Sequence, residues 1–197
     1  MALSSHRFRL RPFAAEGIPD GLSLTGRFRR LPDGLEVHYA LTGAPGSVQV
    51  PAPAPAPSRR DGLWQSTCLE FFLARPDQEA YLEINLSPSG DWNAYRLTGY
   101  RAGLEPESTI TLLRPRVRRS AQRLTLDVHC PLPAGLGPAG PLEVAVCAVL
   151  ELEGGRLTYW ALHHPGPQPD FHDRAGFHLR LPPLETRGSA TVEGPGV

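Results

Sequence analysis

Two segments of this chain concentrate side chains whose chemistry goes beyond packing. RRDGLWQSTCLEFF (59–72) carries Trp64 and Glu70, and YLEINLSPSGDWNAY (81–95) carries Glu83, Asn85, Trp92 and Tyr95. If both segments contain strands and those strands pair, Glu70, Glu83 and Asn85 point to related sides. One tryptophan then sits just before the first strand and another just after the second. Flat rings beside carboxylates and an amide suit a sugar: the ring covers the C–H face of a pyranose, and the oxygens accept its hydroxyl protons. The same residues also have a purely structural reading. Trp64 and Trp92 would fill the ends of the fold, Trp92 against Tyr95 and Tyr100, and Glu83 would pair with Arg96 or Arg101. The heavy average burial of tryptophan favours that second reading when composition alone is weighed.

A histidine group, His163, His164 and His172, lies in ALHHPGPQPDFHD with Asp170 and Asp173. Imidazole and carboxylate together could hold a transition metal, but this spacing, broken by prolines, matches no zinc pattern. A loop anchored by a hydrogen-bonded histidine is the simpler expectation, and no metal is predicted. The only methionine is Met1, which excludes a Met/His pair on a haem and leaves one- or two-histidine ligation open. The chain has no GxSxG, no HExxH and no Cys/His signature. A Glu70/Glu83 pair would imitate a glycosidase acid and nucleophile, yet carboxylates on neighbouring strands are commonly neutralised by arginine. No enzyme activity is expected.

Composition narrows the partners. Of 197 residues, 20 are basic and 20 acidic, for zero formal charge. That balance argues against nucleic acid or an anionic membrane bound through bulk charge. Every basic residue is arginine, so lysine chemistry, Schiff base or P-loop, is absent. No apolar run is long enough for a membrane span, and the opening MALSSHRFRLRPF lacks the core of a signal peptide. Three widely spaced cysteines give neither a disulfide framework nor paired zinc ligands. Together these features predict a cytoplasmic location.

The elements that must position the candidates are strands. The 22 prolines and 20 glycines interrupt the chain too often for long helices. LSLTGRFRR (22–30) and LEVHYALTG (35–43) flank an LPDG turn and predict a hairpin. In TCLEFFLA (67–74), Leu69, Phe71 and Leu73 share a face opposite Cys68, Glu70 and Phe72. In YLEINLSP (81–88), Leu82, Ile84 and Leu86 lie opposite Tyr81, Glu83, Asn85 and Ser87. Residues 109–119 and 123–132 predict a second hairpin, with Leu124, Leu126 and Val128 inward. PLEVAVCAVLELEG (141–154) reads as a central strand buried on both faces. The Pro-Ala run within 44–60 predicts an extended surface loop. The fold expected is all-β: an antiparallel two-sheet β-sandwich, jelly-roll-like, with minimal helix. It forms a single domain over residues 1–182, and 183–197 is a flexible tail.

Three stretches, RRDGLWQSTCLEFFLA, YLEINLSPSGDWNAYRLTGYR and YWALHHPGPQPDFHDRAGFHLRL, resemble the DOMON-like domains in their stand-alone bacterial form. Those domains are similar to family-9 carbohydrate-binding modules. The resemblance spans residues 5–182 and rests on order: a Trp before a Glu-bearing strand, then E-x-N-x-S-P-x-G, then Asp-Phe-His near the last strand. Glu83, Asn85, Ser87 and Trp92 match the strand-and-turn motif, and His172 matches the Asp-Phe-His. The resemblance implies a non-enzymatic domain that binds a small ligand, a saccharide or sugar derivative, clamped by aromatic rings and held by polar side chains. Relatives also include haem proteins, which implies haem binding or electron transfer as an alternative; the axial methionine of those relatives is missing here. A protein-interaction domain with no small ligand is a further alternative. Sugar-binding relatives are usually appended to secreted glycosidases, a pattern from which this chain departs. The candidate ligand-binding set is Trp64, Glu83, Asn85, Trp92, Tyr95, Arg101, His164 and His172.

Overall fold

The computed structural model describes residues 5–184, and the expectation of an all-β sandwich holds. The strands are β1 (Ser5–Arg9), β2 (Arg11–Pro12), β3 (Ser23–Leu31), β4 (Gly34–Thr42), β5 (Val48–Gln49), β6 (Cys68–Ala74) and β7 (Tyr81–Leu86). They continue with β8 (Trp92–Leu97), β9 (Glu105–Pro106), β10 (Arg116–Arg119), β11 (Arg123–Pro131), β12 (Leu142–Leu152), β13 (Arg156–Ala161) and β14 (Leu179–Leu181). Helix among the described residues is limited to short 3-10 turns, including Leu63–Gln65 and Arg174–Gly176. One sheet runs β1-β3-β4-β11-β10 and the other β2-β13-β12-β6-β7-β8-β9, with β5 and β14 also on β12; every ladder is antiparallel.

Alternation decides what lies between the sheets. Leu69, Phe71, Leu82, Ile84, Leu126, Val128, Val144 and Val146 are all buried in the main core, as their strand positions predict. Phe71 meets Phe28 edge-on across the sandwich, with ring centroids 5.3 Å apart. β12 is central, flanked by β6 on one side and by β13 and β14 on the other. Its buried run Val144–Leu150 fits a strand covered on both faces. Gly26 is required where β3 passes the Phe8 ring, because a Cβ there would stand 2.3 Å from that ring.

The outward face of the second sheet carries a smaller apolar cluster: Phe72, Ala74, Tyr81, Tyr95, Leu97, Ala145, Cys147, Ala161 and Phe177. The segment after β13 folds back over it. Phe177 packs against Phe72 and Tyr81, and His172 stacks on both. Strands β6 and β7 are therefore buried on both faces, and polar residues on their outer side lie in a partly dry environment.

The 44–60 segment is a surface loop only in its middle. Ala52, Pro53 and Pro55–Ser58 are exposed as expected, but Val48–Gln49 pairs with β12, and Gln49 accepts a hydrogen bond from the Thr67 hydroxyl at 2.6 Å. Further on, Ala54 N–H donates to the Ser89 carbonyl (2.9 Å) and Ser58 N–H to the Asp91 carboxylate (2.9 Å). Prolines remove donors, so the few N–H groups that remain hold the run to the sheet. Of the tail expected at 183–197, Leu184 N–H donates to the Pro138 carbonyl, and residues 185–197 lie outside the described residues.

Candidate functional site

On the outward face of the second sheet, register brings three polar residues of β6 and β7 together. Glu70 stands opposite Asn85 on one side and Cys147 on the other, and Phe72 stands opposite Glu83. Glu70 is 3% exposed, Glu83 4% and Asn85 0%. The Asn85 amide donates to Glu83 Oε1 at 2.8 Å. Glu70 Oε1, Glu83 Oε2 and Asn85 Oδ1 have no hydrogen-bond partner among the described residues. Burial, with a further contribution from the neighbouring Glu83, pushes the Glu70 carboxyl up to about 8. Glu83 is also shifted upward by burial, partly offset by the Asn85 hydrogen bond and the Arg101 charge.

These carboxyls form part of the floor of an open cleft of about 760 Å³. Aromatic and apolar side chains make its walls. Trp64, on the 3-10 turn just before β6, is 38% exposed, and Tyr159 of β13 is 37% exposed. Tyr95 meets the Trp64 ring edge-on at 6.1 Å, while its hydroxyl donates to Asp61 (2.6 Å) and accepts from Asn93 (2.7 Å). Tyr95 thus supports Trp64 and is not itself among the lining residues. Phe171 packs its edge on Tyr159 at 6.1 Å.

The rim is tied by ion pairs and hydrogen bonds. Asp170 accepts from Arg101 (2.9 Å) and from the Tyr100 hydroxyl (2.6 Å), and its carboxyl is held below the usual range mainly by these bonds and the His172 N–H, against the opposing effect of burial. Arg101 adopts a left-handed backbone (φ 50°), and its N–H donates to the Tyr81 hydroxyl at 3.2 Å. The same hydroxyl lies 2.8 Å from His172 Nδ1. Burial, together with the Arg101 charge, lowers the His172 pKa to about 4, so the ring is neutral at physiological pH.

The structure thus brings Trp64, Glu83, Arg101 and His172 to the cleft, with Asn85 and Tyr95 immediately beside it. Two expected site residues do not belong to it. Trp92 is 2% exposed and lies in the main core, because the β7–β8 hairpin sets it opposite inward-facing Leu86. Its ring is covered by the Arg59 guanidinium, 4.6 Å from the ring centre, and cannot stack on a ligand. His164 is not among the lining residues: Nε2 donates to the Arg11 carbonyl at 2.9 Å and the ring packs edge-on against Phe13. A Glu83–Arg pair does not form either; Arg96 binds Glu107 and Arg101 binds Asp170.

Sequence reasoning left Phe72, Tyr159, Phe171 and Gln168 out of the site, and it named Glu70 only as a carboxylate of interest. Alternation offered a signal for Tyr159, which must face outward if Trp160 faces inward. No periodicity reaches Gln168 or Phe171, which lie on the irregular segment after β13. Among the described residues, no group of three His, Cys, Asp or Glu side chains is arranged to hold a metal ion. Among the described residues, no helix is long and apolar enough to cross a membrane.

No protein-family model matches the chain, and no curated protein does. Among solved structures it is similar to a protein from Bacteroides uniformis ATCC 8492 described as carbohydrate-binding. That likeness has 14% identity and a TM-score of 0.61, covering 86% of this chain and 84% of that one. It is also similar to a family 9 carbohydrate-binding module from Caldicellulosiruptor kristjanssonii, seen with cellotriose (10% identity, TM-score 0.54, 98% of this chain and 89% of that one) and with glucose (10%, 0.52, 96% and 88%). At these identities the likeness establishes the β-sandwich fold that the two proteins share with this chain.

Proposed function

We propose that the chain is a non-catalytic saccharide-binding module of the DOMON-like kind, with its site in the cleft between Trp64 and Tyr159. One observation carries the reading: two partly exposed aromatic rings line the same cleft as two buried carboxyls, each of which has an oxygen without a partner among the described residues. A pyranose matches that arrangement, offering C–H faces to the rings and hydroxyl protons to the floor. Sandwiches of the same fold are carbohydrate-binding modules solved with cellotriose and with glucose, which supports the same ligand class here. Glu70 and Glu83 do not suit glycoside hydrolysis. Both rise from one sheet face and approach a ligand from the same side, whereas hydrolysis needs carboxyls flanking the scissile bond. The proposal includes no cofactor. The three cysteines are buried and free, which supports a reducing compartment and the cytoplasm as the place of action.

Titration calorimetry with glucose, cellotriose and a panel of neutral oligosaccharides tests the reading. Saturable binding by the wild type, weakened about tenfold or more in Trp64→Ala, is expected from the loss of one stacked ring. Absence of binding to every saccharide in the panel overturns it.

A further inference from the structure

The floor of the cleft is rich in acceptors. The unpartnered atoms at and just beneath it, Glu70 Oε1, Glu83 Oε2 and Asn85 Oδ1, are all oxygens. The Asn85 amide nitrogen donates to Glu83, and the Arg101 guanidinium is held by Asp170. Neither Glu70 nor Glu83 has an ion-pair partner among the described residues. Two carboxyls are thus taken out of water with no cation in ion-pair contact: the Arg101 charge offsets the burial of Glu83 only in part, and Glu70, with a pKa of about 8, keeps its proton near neutral pH.

We infer that the cleft is built for an amino sugar, a saccharide whose free primary amine seats as an ammonium on Glu70, Glu83 and Asn85. The inference rests on the saccharide reading above and adds to it the ligand's charge. The argument is one of matching. An ammonium has three N–H donors and needs no donor in return, so it satisfies three acceptors at once. A sugar hydroxyl donates one proton and leaves the other carboxyl and amide oxygens without a donor of their own. An N-acetyl group fits less well: its amide has a single N–H, and its carbonyl would meet the carboxyl oxygens. The aromatic walls work in the same direction, since Trp64 and Tyr159 line the same cleft and an electron-rich ring attracts a nearby cation. A cation between the two carboxyls also favours their ionised forms and removes the burden that burial places on them.

Three trisaccharides that differ only at C2 test this directly: cellotriose (hydroxyl), β-1,4-linked triglucosamine (ammonium) and its fully N-acetylated form. Each is titrated calorimetrically at pH 6 into the wild-type protein, into Glu83→Gln and into Glu70→Gln. The triglucosamine is expected to bind at least about tenfold more tightly than cellotriose, with the N-acetylated sugar weakest, because charge-assisted hydrogen bonds are roughly twice as strong as neutral ones. In each Gln variant that preference should shrink to about twofold, with far-UV circular dichroism showing that the variant is folded. If cellotriose binds as tightly as triglucosamine in the wild type, the amino-sugar inference is wrong and the saccharide reading stands. If none of the three binds, both fail. If triglucosamine is preferred but both folded Gln variants keep the full preference, the amine sits elsewhere and the inference is equally overturned.

Discussion

The two sheets of this sandwich obey the same alternation, yet their outward faces could hardly differ more. On β1, β3, β10 and β11 the outward positions hold Arg7, Arg9, Arg27, Arg116, Arg118 and Arg123, all exposed. Their neighbours pair at the surface: Arg29 forms an ion pair with Glu36, and the His38 ring lies within hydrogen-bond distance of Asp127, at 2.7 Å. On β6 and β7 the outward positions hold Glu70, Phe72, Tyr81, Glu83 and Asn85, all buried, with Phe72 and Tyr81 packed beneath the segment after β13. On the first face charges keep their water, and each pair contributes little. On the second, water is largely displaced, and an unpartnered oxygen becomes a demand for a ligand. Zero net charge is therefore a sum over unlike regions and says little about either face alone.

The largest effects should separate the core between the sheets from the cleft on the outward face. Trp92→Ala and Ile84→Ala remove buried groups and are expected to cost about 3–5 and about 2–5 kcal/mol respectively. Trp64→Ala removes a half-exposed ring and should leave the chemical-unfolding midpoint nearly unchanged while weakening saccharide binding by about 1–2 kcal/mol. Denaturation curves for the three variants check this contrast. A Trp92→Ala protein as stable as the wild type would show that the core assignment is wrong.

That contrast also marks how far the sequence could be read. Leu82, Ile84 and Leu86 alternate so cleanly that their burial follows from type alone. For Trp92 the deciding signal is the hairpin register carried across the β7–β8 turn: opposite Leu86 it points inward, which favours the buried reading over the ligand-binding one. Glu83 and Asn85 were legible through their shared face. His164 and His172 could not be told apart, since the segment that carries them has no period, and only the fold decides that one stacks on Phe72 and the other on Phe13.

A smaller effect concerns pH. Glu70 has a folded pKa of about 8, above its ordinary value of 4.5. The folded state holds this proton more tightly than the unfolded chain, so the contribution is complete below about pH 4.5 and is lost as pH rises toward 8. His172 acts in the other direction. Its folded pKa of about 4 lies below 6.5, so stability is lost as pH falls from about 6.5 to 4. Thermal unfolding of Glu70→Gln across pH 5–9 should show a flatter alkaline limb than the wild type, and His172→Gln a flatter acidic limb. Unchanged limbs would mean that neither group is as dry as its packing indicates.

The smallest effect belongs to the arginine face. Glu36→Gln breaks the pair with Arg29, in which both side chains are about two-fifths exposed, and should change stability by no more than about 1 kcal/mol. The loss should shrink further at high salt, where exposed charges are screened. A loss comparable to that of Ile84→Ala would erase the distinction between the faces.

The central claim is that the ligand site lies on the dry face, between Trp64 and Tyr159. A crystal structure of the protein grown with cellotriose tests it most directly. The account predicts a pyranose ring lying against the Trp64 indole with a hydroxyl within hydrogen-bond distance of Glu83 or Glu70. A sugar bound instead among the arginines of the opposite sheet, with the cleft holding only water, would contradict it.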